Sequence, residues 1–199
     1  MDFTTLLDRT EISTLENSTD CIFAVSKDFE LIYFNPRWRQ FAKENNGEPQ
    51  ISEQYDLGSS LLNCLSDPLD DFYIKKYCKV MATGKVWNHI YECSSPEYFR
   101  EYSQLVYPLY NGQGVLVVNR LNIKIPIKKI KLDRYKPLEH FYRHKTGIIH
   151  QCSNCRCIQR VGNPDKWDWV SDWVKQIPEN TSHTICPICF DFYWKYAVD

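Results

Sequence analysis

Residues 21–36 read CIFAVSKDFELIYFNP. Two apolar, β-branched and aromatic runs, Ile22–Val25 and Leu31–Phe34, flank Lys27-Asp28. Such runs across a short polar turn predict a β-hairpin. Asn35-Pro36 ends the second strand. Pro36 suits the first turn of a helix, where its missing N–H would have had no partner. That helix is expected over 37–44, closed by Asn45-Asn46-Gly47. Upstream, residues 4–19 suit a short amphipathic helix with Leu6, Leu7, Ile12 and Leu15 available to pack. Downstream, SSLLNCLSDPLDDF (59–72) reads as a second helical stretch and 70–82 as a third, stopped at Gly84. Three β segments follow, VWNHIYEC (86–93), FREYSQLVYPLY (99–110) and GVLVVNRLNI (114–123). Asn111-Gly112-Gln113-Gly114 supplies a tight turn between the last two. The order β-β-α-α-α-β-β-β implies an α+β fold, a five-stranded antiparallel sheet with flanking helices.

The 199 residues suffice for one mid-sized or two small domains. A net charge of −1 exerts no overall pull on nucleic acid or anionic membrane. No apolar run is long enough to span a bilayer. The N-terminal MDFTTLLDRTEISTLENSTD is acidic and lacks a basic region ahead of an apolar one, so no secretion signal is expected and a cytoplasmic location is. Nine cysteines in such a chain argue for metal or thiol chemistry rather than a disulfide scaffold.

The cysteines are unevenly spread. Cys152-x2-Cys155 is followed, after 30 residues, by Cys186-Pro187-Ile188-Cys189. Two x2 pairs of thiolates match a structural zinc site, Cys152, Cys155, Cys186 and Cys189. A two-residue gap lets one tight turn aim both sulfurs at an ion, and the turn's N–H groups can donate to those sulfurs. Four thiolates around Zn²⁺ leave a formal charge of −2, which Arg156 and Arg160 are placed in sequence to offset. Iron or an iron–sulfur cluster is the alternative occupant. Cys157 is left over, for packing or as a redox thiol, while His150 and His183 lie close enough in sequence to replace a sulfur. Between the pairs, NPDKWDWVSDWVKQIPEN (163–180) reads as a helix starting near Pro164, with Trp167, Val170, Trp173, Val174 and Ile177 at helical spacing and Pro178 as its stop. Ahead of the first pair, residues 123–146 carry Lys124, Lys128, Lys129, Lys131, Arg134, Lys136, Arg143 and Lys145 against Asp133 and Glu139. Two prolines argue against one long helix, so a partly extended basic connector is expected.

LIYFNPRW (31–38) and MATGKVWNHIYECSSPEYFREYSQLVYPL (81–109) resemble the second strand, and the end of the long helix with the third and fourth strands, of PAS sensor domains. The resemblance covers about 14–122 and implies a fold that often holds a small molecule between sheet and helices. The expected division is a helical segment at 1–13, a PAS-like sensor domain at 14–122, the connector at 123–146 and a four-cysteine module at 147–199. No ligand of the PAS-like region is identified. The long helix offers no His, only Cys78, Tyr73 and Tyr77. Cys64 and Cys78 are expected to pack in the core. His89 is expected as a half-exposed structural His and Asn35 as a helix cap. Asn154–Gln159, NCRCIQ, resembles the flavin-adduct motif NCRFLQ of light-oxygen-voltage domains, yet it follows the last predicted strand, where no flavin pocket can form around it. The tail, CSNC with a Trp-rich stretch and SHTICPIC, resembles a C-terminal cysteine motif carried by some bacterial PAS, sensor-kinase and response-regulator proteins. Kinase boxes and a phosphoacceptor domain are missing. The expected function is therefore a non-catalytic bacterial sensor or adaptor with a signalling protein partner and a homodimer formed through the PAS-like region. A haem or iron–sulfur redox or gas sensor is the first alternative. A nucleic-acid-binding regulator using the connector and the zinc module is the second.

Overall fold

The computed structural model describes residues 3–7, 11–45, 47–64 and 69–195. The chain forms two compact units. The first comprises Met1–Leu65, Tyr73–Ile90 and Ser103–Leu121, and the second Ser66–Phe72, Tyr91–Tyr102 and Asn122–Asp199. No helix among the described residues is long and apolar enough to cross a membrane.

The expected hairpin forms. Strands β1 (Cys21–Ser26) and β2 (Leu31–Phe34) pair antiparallel, Phe23 opposite Phe34 and Ala24 opposite Tyr33. The Ser26 hydroxyl closes the turn by accepting from the Asp28 and Glu30 N–H groups. Helix α1 spans Ile12–Glu16, α2 Pro36–Glu44, α3 Gln50–Gln54 and α4 Leu69–Thr83. Strands β3 (Trp87–Glu92), β4 (Tyr98–Pro108) and β5 (Gly114–Pro126) complete a sheet ordered β2-β1-β5-β4-β3, the expected five-stranded antiparallel sheet with flanking helices. Chain neighbours β1 and β2 are joined to the last strand: β1 pairs β5 over six residues, from Cys21–Asn119 to Ser26–Gly114. Gly114 is required there, because a Cβ would stand 2.1 Å from the Val25 carbonyl oxygen.

Both faces of β1 are covered, so its four central residues are all buried instead of alternating. On one face, Phe3, Leu6 and Leu15 pack with Ile22, Ala24, Tyr33 and Leu116. The helix expected over 4–19 is a 3₁₀ turn at Phe3–Leu6 and the short α1; its residues 8–10 lie outside the described set. On the other face, Phe23 meets Trp38 edge-on at 5.1 Å and Phe29 stacks on Tyr77 of α4 at 6.4 Å. The Tyr77 hydroxyl donates to the Gln104 side chain, which donates to Asn119, so these three buried polar groups are partnered. The helical stretch expected over 59–72 is a 3₁₀ turn at Leu61–Cys64 followed by α4 from Leu69; residues 65–68 lie outside the described set. Helix α3 has no counterpart in the sequence reading, being too short to show a period.

Asn35 ties four segments together. It is fully buried, accepts from the backbone N–H groups of Ile22 (3.0 Å) and Trp38 (3.3 Å), and donates to the carbonyls of Leu15 (3.1 Å) and Asp20 (2.9 Å). It caps α2 as expected, and it also binds the end of α1 to the start of β1.

The second unit holds a four-stranded sheet, β6 (Ile149–Cys152), β7 (Ile158–Arg160), β8 (Asn163–Asp168) and β9 (Thr181–Thr184), ordered β8-β7-β6-β9 with β6 and β9 parallel. The short helices α5 (Glu139–Tyr142), α6 (Ser171–Lys175) and α7 (Pro187–Phe190) surround it. The helix expected from Pro164 is a correction: its first half is β8, and only α6 is helical. The period of two prevailed locally. Trp167 turns toward the cysteines, while Asp168 turns to the other face, pairs with Arg160 and accepts from the Tyr142 hydroxyl at 2.9 Å. Pro164 is tolerated because β8 is an edge strand. The segment expected as a connector is built into this unit. Tyr142 lies in an apolar core with Ile149, Ile158, Val170 and Trp173, and the Tyr135 N–H donates to the Trp169 carbonyl at 3.0 Å.

Asn35→Ala takes away the side-chain partner of the buried Ile22 N–H and of the Asp20 carbonyl, while the Trp38 N–H and the Leu15 carbonyl keep backbone partners, and about 2 kcal/mol of stability should be lost in urea denaturation. His89, stacked on Trp87 at 5.2 Å, has its imidazole pushed down to about 4 by burial first and the Lys76 ammonium second. The unfolded chain then binds a proton between pH 6.5 and 4 that the folded chain does not. This contribution is present in full above pH 6.5 and falls away as pH drops toward 4, by about 3 kcal/mol. The stability difference between wild type and H89F should change by that amount across the same window.

Candidate metal centre

Each cysteine pair sits where a strand of the second sheet ends. Strand β6 ends on Cys152, and the chain turns through Ser153 and Asn154 to Cys155. The turn is closed by the Arg156 N–H donating to the Cys152 carbonyl (3.1 Å) and the Cys152 N–H donating to the Cys157 carbonyl (2.8 Å). Arg156 takes the left-handed conformation, φ 64°, which lets the chain reverse into β7. The second pair opens α7. Cys186 is its N-cap, Pro187 occupies the first turn, and the Cys189 N–H donates to the Cys186 sulfur at 3.5 Å. The parallel register Cys152–Thr184 sets the two turns side by side. The Ser153 N–H donates to the Thr184 carbonyl (2.7 Å), and the Cys186 N–H donates to the Cys152 sulfur (3.4 Å).

The four sulfurs of Cys152, Cys155, Cys186 and Cys189 all lie within 4.8 Å of one another, with Cys155 and Cys186 at 3.7 Å. Tetrahedral zinc at a Zn–S length near 2.3 Å puts its sulfurs about 3.8 Å apart, so the spacing fits such an ion. Cys152, Cys186 and Cys189 are buried, Cys155 is half-buried, and Trp167 and Ile185 pack against the group. Donors already face the sulfurs: besides the two backbone N–H groups, the Asn154 amide donates to Cys189 at 3.2 Å. The Tyr193 hydroxyl in turn donates to the Asn154 carbonyl oxygen at 2.9 Å and orients that amide. As thiols alone, the group titrates as a unit. Hydrogen bonds from the other three hold the Cys152 thiol down, and Cys155, Cys186 and Cys189 are pushed up by their bonding to it. A single thiolate is accommodated without a cation; four are not.

Of the other residues singled out in the sequence, Cys157 is a free, half-buried thiol on the same side of the sheet as Cys152. His183 stands opposite Gln151 in the β6–β9 register, one residue out of phase with Cys152, so the pleat turns it to the other face. His150 shares the Cys152 face but meets His144, ring centroids 4.9 Å apart. Neither imidazole belongs to the sulfur group. Arg160 is committed elsewhere: it pairs with buried Asp168 and lies over the rings of Tyr135 (5.0 Å) and Phe141 (5.6 Å). Asn154 and Tyr193 were not read from the sequence as part of the site. Asn154's place inside the first pair was the available signal; Tyr193's was hidden in an aromatic run.

In the first unit, Cys78 is exposed, against the expectation of core packing, because the buried face of α4 nearby is formed by Tyr73, Tyr77 and Val80 and the neighbour of Tyr77 turns outward. The Cys64 side chain lies outside the described set. Tyr73 and Tyr77 are buried in the aromatic packing between α4 and the sheet, and His89 is half-buried as expected.

No protein-family model matches the chain, and no curated protein matches it. Solved structures similar to it include a domain of an HTR-like protein from Haloarcula marismortui, 14% identical over 53% of this chain and 100% of that one, TM-score 0.39. A domain of a sensory box sensor histidine kinase/response regulator from Geobacter sulfurreducens is 15% identical over 54% and 88%, TM-score 0.39. A PAS domain from Colwellia psychrerythraea is 16% identical over 55% and 92%, TM-score 0.39.

Cys186→Ser should remove most bound metal and lower the unfolding temperature together, read by elemental analysis and a thermal melt. Asn154→Ala should keep the stoichiometry but weaken metal affinity about 10-fold or more in a chelator competition, because one N–H donor to sulfur is lost.

Proposed function

We propose that the protein is a non-catalytic bacterial signalling sensor or adaptor of the cytoplasm, acting through protein–protein contacts and stabilised by a structural zinc ion. The observation that carries the reading is the group of four sulfurs within 4.8 Å, three of them buried, on two turns held in register by β6 and β9. Zinc supplies positive charge and cross-links segments 30 residues apart in sequence. Cys152, Cys155, Cys186 and Cys189 hold it, and Asn154 with the Cys186 and Cys189 amides moderates their charge. With all four positions taken by sulfur, the ion offers no open site for a substrate, which suits a structural role and not a hydrolytic one. The small apolar core of the sulfur-bearing sheet gives metal binding a large share in its stability. The PAS-like arrangement of the first unit suits the sensing part, with a signalling protein as partner and the N-terminal turn and sheet as a route to a homodimer.

Elemental analysis with an absorbance spectrum of protein purified with and without air tests the metal. About one zinc per chain and no colour are expected; a coloured, iron-containing product would put the iron–sulfur or haem reading in its place. Protons compete with metal for thiolates, so zinc should be retained at neutral pH and released on acidification, followed with a chromogenic chelator. Capture of partners from the native source with wild-type and C186S baits tests the adaptor role. A protein retained by the wild type and lost with C186S is expected, and identical recovery on both would remove the zinc unit from partner binding.

A further inference from the structure

Within residues 123–136 stand six cations, Lys124, Lys128, Lys129, Lys131, Arg134 and Lys136, and a single acid, Asp133. The rest of the chain carries 18 basic and 24 acidic residues, the remainder of 24 and 25, so the protein is acidic apart from this segment. All six cations are exposed, and none forms an ion pair among the described residues. One is engaged, the Lys124 ammonium lying 4.5 Å over the Tyr98 ring. The backbone that bears them is anchored. Ile127 is buried and its N–H donates to the Glu97 carbonyl at 2.8 Å, while Arg134 bridges to Trp169 and the Tyr135 N–H donates to the Trp169 carbonyl. The cations are therefore presented on an anchored strip, repelling one another with Asp133 as the single acid among them.

We infer that this strip, Lys124 to Lys136, binds the sugar–phosphate backbone of a nucleic acid. Phosphates supply the missing negative charge in a row, and counterion release makes such a row favourable. Exposed rings lie in the same unit: Tyr98, and the His140–Phe141 pair with centroids 4.2 Å apart that follows the strip. Rings beside a cationic track are what stacking against unpaired bases requires. An anionic membrane fits less well. The aliphatic residues between the cations, Ile123, Ile125 and Leu132, are 37%, 38% and 36% exposed, so more than half of each is covered and little remains to enter a bilayer. This inference adds a partner class and does not depend on the identity of the metal.

The test is fluorescence anisotropy with a labelled 20-nucleotide single-stranded RNA and a 20-base-pair DNA duplex, using the full metal-loaded chain over a range of salt. Binding to at least one probe is expected, with log affinity falling against log salt at a slope near −4 for the single strand. K128Q/K129Q/K131Q should weaken binding at least 10-fold and reduce the slope by about 2. K75Q/K79Q, which alters exposed lysines of α4, should stay within twofold of wild type. If the triple variant fails to match wild type in metal content and melting, K131E/K136E replaces it with the same expectation. Absence of binding to both probes at low salt overturns the inference, as does undiminished binding by the variants. Equal affinity for polyglutamate would assign the strip to an acidic protein. Binding to phosphatidylserine vesicles but not to either nucleic acid would assign it to a membrane.

Discussion

Four sulfur atoms brought within 4.8 Å of one another cannot all ionise unless a cation stands among them. That constraint organises the second unit. Strands β6 and β9 are four residues each, too short to hold each other firmly, yet they end on the two turns that carry the sulfurs. The turns are already shaped for an ion: the Cys186 amide of one points at the Cys152 sulfur of the other, and Asn154, oriented by Tyr193, points at Cys189. What a metal would contribute there is the attraction that turns four mutually repelling groups into a cross-link of the sheet.

The first unit solves a different problem. Its interior strand β1 is buried on both faces, so polar groups near it find their partners within the protein. Asn35 does this at the sheet's end, taking two amides and two carbonyls at once, and the Tyr77–Gln104–Asn119 chain does it across the sheet. Aromatic rings from α4 and the β1–β2 hairpin fill the space between helix and sheet. A residue seen from sequence as a helix cap is in fact a junction of four segments, because its side chain has donors and acceptors enough for more than the cap.

The hairpin at 21–36, α2, the stop at Gly84 and the three later strands were legible because each rests on a short-range rule: apolar runs across a polar turn, proline in a first helical turn, glycine after a last one. The four cysteines that cluster were legible for the same reason, since a two-residue gap is a local property. The stretch from Asn163 was misread because Trp167, Val170, Trp173 and Val174 fit a helical period, whereas Asp168 had a buried partner in Arg160 that no periodicity records. The basic segment looked like a connector because charge hides the anchoring that Ile127, Tyr135 and Tyr142 provide. Cys78 looked like a core residue by type, but its phase on α4 turns it outward.

By itself, the sequence determined the α+β class, most of the strand and helix order and the pairing of thiols into two cysteine turns, because all of these follow from spacing along the chain. Tertiary structure alone decided that β1 joins β5, that β6 and β9 lie parallel and so bring the turns together, that His183 faces away from the sulfurs, and that six exposed cations are displayed on an anchored strip. Those outcomes depend on which distant segments share a sheet and on which side of the pleat a residue falls. Neither is written in local spacing.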